Sequence, residues 1–329
     1  MHNKYPFTRL RRGRQASWSR LLVKEHHLTP SNLILPLFVE EGDGEPSAIE
    51  SMPDCFNYSI KYIINKAQEA EALGIPAIAL FPKIALSKKT EDGIEAINPD
   101  NLICRTIRAI KEQKLNIGVI ADVALDPYTS HGQDGIVKNG NVDNDITLEQ
   151  LKKQAIVLAK AGADIVAPSD MMDGRIGAIR CALEEEGFKN IIILSYAAKY
   201  ASKFYGPFRD AIGSTKQLGA QNKSTYQMDP ANTKEALSEV TMDIQEGADW
   251  LMIKPGMPYL DIIKLVSDHV NVPLFAYQVS GEYTMLHELA KKSHQDFIPL
   301  MLEALLSFKR AGADAIFCYA AIEIAKELR

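Results

Sequence analysis

The chain has 329 residues, 46% of them hydrophobic and 24% charged, with a formal net charge of −5. It can bury a large core and is long for a single domain unless that domain is a barrel. Interspersed charge of acidic balance excludes bulk binding to nucleic acid or to a membrane surface, and the longest apolar runs fall far short of a membrane span.

Residues 1–30 stand apart. Arg9, Arg11, Arg12, Arg14 and Arg20 crowd a segment with little apolar periodicity. It reads as an arm outside the core, and the acidic remainder favours self-association or plain disorder over a nucleic-acid arm. No apolar signal region follows the basic start, so a cytoplasmic protein is expected. The four cysteines, Cys55, Cys104, Cys181 and Cys318, are scattered and read as reduced thiols, not as a thiolate metal site. His287 opens a stretch whose fifth residue is Lys291, so the zinc-protease pattern fails.

From residue 31 onward the pattern alternates. Apolar runs predict strands at 33–39, 77–81, 117–123, 164–169, 191–196, 250–254, 273–279 and 315–320. Helix-length segments are predicted at 59–73, 99–113, 148–161, 174–186, 233–246, 258–267 and 298–310. A weak repeat punctuates them: Gly162-Ala163-Asp164, Gly247-Ala248-Asp249 and Gly312-Ala313-Asp314 each close a helix and open a strand. Eight such units over residues 31–329 predict a (β/α)8 TIM barrel carrying an extended N-terminal arm. An open doubly wound sheet would need a phosphate-cradling turn after its first strand, and Glu40-Glu41-Gly42-Asp43-Gly44 is too acidic for that.

A barrel gathers its chemistry at the strand C-termini. The run Trp250-Leu251-Met252-Ile253-Lys254 ends on a cation and is stopped by Pro255-Gly256. Burial or a neighbouring cation lowers such an amine's pKa and frees it to attack a carbonyl, although a strand-end lysine can also snorkel into water or bind phosphate. Lys199 follows within a turn of the strand predicted to end at Tyr196, so two amines share one mouth. Asp122, Asp126, Ser169, Asp170, Ser195, Ser280 and Tyr319 are expected around them. The segment 201–229, with Arg209, Gly213, Lys216, Gly219, Lys223 and Tyr226, shows no clear helical face and reads as a lid whose cations suit an anionic substrate.

Four stretches resemble the δ-aminolevulinic acid dehydratase family. They are Ala167–Arg175, Ser195–Arg209, Met252–Gly256 and Ala276–Tyr283, and the resemblance extends over nearly the whole chain. It implies condensation of two 5-aminolevulinate molecules into porphobilinogen with loss of two waters, in tetrapyrrole biosynthesis. Carried over by motif, Lys254 is similar to the lysine that forms a Schiff base with the substrate giving the propionate side, and Lys199 to the one that holds the other substrate. Ser280 and Tyr319 resemble carboxylate binders of the first substrate, Arg209 and Lys223 those of the second, and Asp122 and Ser169 polar residues lining the second site.

The loop from Asp122 to Gly135 departs from the zinc-dependent members, because Ala124, Asp126 and Asp134 stand where those carry cysteines. Carboxylates select hard cations, so no catalytic Zn2+ is expected; Asp126 and Asp134 either hold magnesium or leave the loop without a metal. Glu239 matches the family's allosteric Mg2+ ligand, and the arm is expected to wrap an adjacent barrel and build an octamer. A class I aldolase would need only one Schiff-base lysine, and a mere carboxylate-binding relative would lack one of the two.

Overall fold

Strands that are apolar on both faces lose water only when both faces are covered, and this chain covers them by closing a parallel barrel inside a ring of helices. The computed structural model describes residues 4–212 and 222–329. The staves are β1 (Leu33–Glu40), β2 (Ala77–Lys83), β3 (Gly118–Val123), β4 (Ile165–Pro168), β5 (Ile192–Lys199), β6 (Trp250–Lys254), β7 (Leu274–Tyr277) and β8 (Ala315–Phe317). Each lies parallel to the next, and β8 returns to β1 through Leu33↔Ile316 and Ile34↔Phe317. Helices Ile60–Ala72, Leu102–Glu112, Asn144–Ala161, Arg175–Glu185, Lys234–Glu246, Leu260–Ser267, Phe297–Ala311 and Ala321–Glu327 alternate with the staves.

The Gly-Ala-Asp repeat is a staple. Gly162, Gly247 and Gly312 all take left-handed φ values, +105°, +104° and +112°, which close the preceding helix. Each following aspartate then binds the previous stave. Asp164 accepts from the Val119 N–H, Asp249 from Ile193 and Asp314 from Leu274, each at 2.8 Å. The repeat thus fixes where three staves begin, at the end of the barrel away from the lysines.

Three expectations need correction. Stave β5 runs on through Lys199 instead of ending at Tyr196, because Lys199 still pairs with Lys254 across the ladder. Between the strands expected at 273–279 and 315–320 the chain forms a helix at Ser280–Ser293 in addition to the one expected at 298–310, and Tyr283, Leu286 and Ala290 give it a buried face. The segment 201–229 is not structureless, since it holds a 3-10 turn at Lys203–Tyr205 and a short helix at Gly206–Ala211. Gly213, Lys216 and Gly219 lie outside the described residues.

Within the arm a 3-10 turn at Leu10–Arg14 and a helix at Ser17–Leu22 leave Phe7, Leu10, Trp18, Leu21 and Leu22 exposed. Among the described residues no helix is long and apolar enough to cross a membrane.

Candidate active site

Lys199 and Lys254 end neighbouring staves and are direct partners in the ladder. Partners opposite each other in a parallel pair project to the same face, so both amines enter the mouth side by side. Each is only 6% exposed. The Lys254 ammonium lies among the rings of Tyr277 (4.4 Å to the centroid), Tyr196 (5.1 Å), Phe208 (5.1 Å) and Tyr205 (5.4 Å). Burial, and then the charge of Lys199, pull it down to about 7, with Asp122, Asp126 and Asp134 opposing. A large fraction of this amine is therefore uncharged at neutral pH.

Lys199 is held differently. Its Nζ donates to the Ser169 carbonyl and lies 3.6 Å from Asp134. Asp122, on β3, has Oδ1 shielded without a hydrogen-bond partner, and burial lifts its carboxyl to about 7 against the pull of Lys199. Burial thus raises the Asp122 carboxyl and lowers the Lys254 amine towards neutrality, which suits a site that gives and takes a proton.

The remaining expected residues converge here too. Lys223 donates to Asp134 at 2.8 Å and to Asp126 at 3.1 Å, and Gln227 reaches Asp134 at 3.4 Å. Burial works to raise the Asp134 carboxyl, but Lys199 and Lys223 prevail and hold it below the usual range. Asp126 and Asp134 are thus turned onto a lysine from the segment 201–229. Among the described residues no cluster of three or more His, Cys, Asp or Glu side chains is arranged to hold a metal. Ser280 Oγ accepts the Phe208 N–H at 2.9 Å, which seats the short helix Gly206–Ala211 carrying Arg209, and Tyr319 shares a hydrogen bond of 3.1 Å with the Tyr277 hydroxyl.

Glu239 is half-buried on helix Lys234–Glu246. It lines a cavity of about 400 Å³ with Asn141, Asp173, Tyr226 and Glu235. Burial raises its carboxyl, Arg175 opposes this, and Asp243, Asp173 and Glu235 add to it.

With this geometry in place the chain can be compared with known proteins. The family model described as "Delta-aminolevulinic acid dehydratase" matches residues 7–327. The chain belongs to the delta-aminolevulinic acid dehydratase family. A dehydratase of that name from Bradyrhizobium diazoefficiens is 53% identical over 321 residues, 98% of this chain and 91% of the relative. The chloroplastic dehydratase of Glycine max is 47% identical, covering 97% and 77%. A crystal structure of the Toxoplasma gondii dehydratase in complex with the reaction product porphobilinogen superposes with a TM-score of 0.95 at 48% identity, covering 97% of this chain and 91% of that one.

Two groups in this dehydratase fold escaped sequence reasoning. Arg175, 2% exposed, donates to Asp243 at 3.1 and 3.2 Å and to Ser195 Oγ at 3.2 Å, with Asp170 a further 3.8 Å contact. Glu282, fully buried, binds main-chain N–H groups beside both Lys254 and Ser280. Both fall within the motif stretches, but an arginine or a glutamate in a helix's first turn looks like a surface residue in sequence, and their role shows only in their burial. The aromatic wall had a faint signal, since Tyr196, Tyr205, Phe208 and Tyr277 all fall within the motif stretches.

Proposed function

We propose that the chain condenses two molecules of 5-aminolevulinate into porphobilinogen, and that it does so through Schiff bases on Lys254 and Lys199. The activity is that of a hydro-lyase serving tetrapyrrole biosynthesis. The observation carrying this reading is the pairing of the two buried amines at the barrel mouth, one of them near pKa 7. Each substrate ketone condenses with one amine and releases a water. The iminium so formed acidifies the adjacent C–H, which makes carbon–carbon bond formation accessible near neutral pH. Asp122, beside both lysines, is suited to receive and return that proton. Ser280 and Tyr319 take the carboxylate of the propionate-side substrate, Arg209 and Lys223 that of the second, with Ser169 lining its site. The segment 201–229 serves as the lid.

Magnesium belongs to the same reading, at Glu239. The lining of the cavity there includes the carboxyls of Glu239, Glu235 and Asp173 and the amide of Asn141, and such oxygens suit a hard cation that keeps part of its water shell. The loop from Asp122 to Gly135 has no thiol, and two of its three carboxyls, Asp126 and Asp134, already bind Lys223, a donor set ill-suited to zinc. Arm residues 1–30 join subunits towards an octamer, a reading supported by their uncovered apolar side chains. Cytoplasmic residence is part of it as well, supported by cysteines that are all unpaired.

Incubation with 5-aminolevulinate should yield a pyrrole that reacts with an acidic aldehyde reagent; no pyrrole in magnesium- or potassium-containing buffer would sink the assignment. A zinc-selective chelator is expected to leave the rate largely intact, while a chelator that strips magnesium lowers it. Abolition by the zinc-selective reagent would overturn the metal reading.

A further inference from the structure

Glu282 has no part in the chemistry above, yet its carboxylate is completely buried and fully used. It accepts the N–H of Val279 at 2.5 Å, that of Gly256 at 3.4 Å and that of Met257. Val279 immediately precedes Ser280, and Gly256 lies two residues beyond Lys254. One side chain therefore fastens the turn after β6 to the turn after β7. Burial pushes the Glu282 carboxyl up to about 8 against the pull of these three N–H groups, and its two oxygens bind two elements at once.

The turns it fastens have no slack. A Cβ on Gly256 would lie 2.2 Å from Phe308 Cε1 and 2.9 Å from the Tyr277 carbonyl oxygen, and one on Gly281 only 2.6 Å from the carbonyl oxygen of Phe204 in the lid. Neither turn can slide without pushing a barrel helix or the lid aside.

We propose that Glu282 is a positioning residue that sets the span between the Lys254 amine and the Ser280 hydroxyl, and so selects keto acids with two methylenes between ketone and carboxylate. This rests on the reading of Lys254 as the Schiff-base lysine and Ser280 as a carboxylate binder. Capture requires the amine about 3–3.5 Å from the carbonyl carbon while the carboxylate stays seated. A fixed span meets that condition for one chain length only. Glu282 contacts main chain alone and acts through the two residues it aligns.

The test is borohydride trapping on Lys254, located by peptide mapping, with 4-oxopentanoate competing against 5-oxohexanoate. A site built to a fixed span discriminates one methylene by roughly tenfold or more, and the wild-type chain is expected to prefer 4-oxopentanoate by that margin. In Glu282→Gln the new amide N–H2 faces a main-chain N–H, one acceptor is lost, and the preference should drop at least threefold; in Glu282→Ala it should approach unity. A circular dichroism spectrum checks folding, and Glu282→Gln decides the matter if the alanine variant does not fold. An unchanged preference in Glu282→Gln overturns the proposal while leaving Lys254 as the Schiff-base lysine. Failure of the wild-type chain to trap any keto acid on Lys254 removes that reading, and the proposal with it.

Discussion

The reactivity proposed for Lys254 comes from where its stave stops. Four aromatic rings and the neighbouring Lys199 exclude water and disfavour the ammonium, which brings its pKa to about 7. The sign of the pH dependence follows. Below 7 the amine is charged and cannot attack, so reductive trapping of a keto acid on Lys254 should fall about tenfold for each pH unit below 7 and level off above it. A trapping rate flat between pH 5 and 8 would contradict this environment. Lys254→Met is expected to lower kcat on the order of a thousandfold, about 4 kcal/mol of lost barrier reduction. Lys254→Arg should not rescue it, because a guanidinium stays protonated.

The staves and helices hold these side chains through buried ion pairs more than through surface ones. Helix Arg175–Glu185 and helix Lys234–Glu246 meet at the Arg175–Asp243 pair, which also reaches Ser195 on β5, four residues before Lys199. Removing one partner leaves a buried charge, so Asp243→Asn is expected to cost about 3–5 kcal/mol in urea unfolding. Replacing both Arg175 and Asp243 by apolar residues of similar volume should recover much of that loss. A single substitution costing less than about 1 kcal/mol, within the range of a surface pair, would show that the pair is not what joins these helices. The same elements show why local sequence misled: Ser280–Ser293 opens with Gly281, a poor helix former by propensity, and is a helix because Glu282 caps its first turn and Tyr283 packs inward.

For the molecule as a whole, the barrel accounts for the active-site mouth, and the role proposed for the arm lies beyond one chain. Arm side chains such as Phe7, at 86% exposure, and Leu22, at 78%, find no cover in the single chain, and apolar patches of this kind mark association surfaces. Deleting residues 1–30 should leave the barrel's circular dichroism unchanged while the mass in solution falls from that of an octamer to that of a smaller assembly. Equal masses with and without the arm would remove it from the assembly.

Periodicity alone determined the barrel, because eight buried parallel staves with alternating helices leave few other ways to cover both faces of every strand. Lys254 was legible as a cation at the end of an apolar run, and Lys199 as a second amine close behind the neighbouring run. What sequence could not determine is which charges end up buried together. Arg175, Asp243 and Glu282 sit on helices where a charged residue ordinarily faces water, and only the packing of one helix on the next removed that water. Burial at such positions is a property of the closed barrel, set by neighbours dozens of residues away, and so was decided by the tertiary structure.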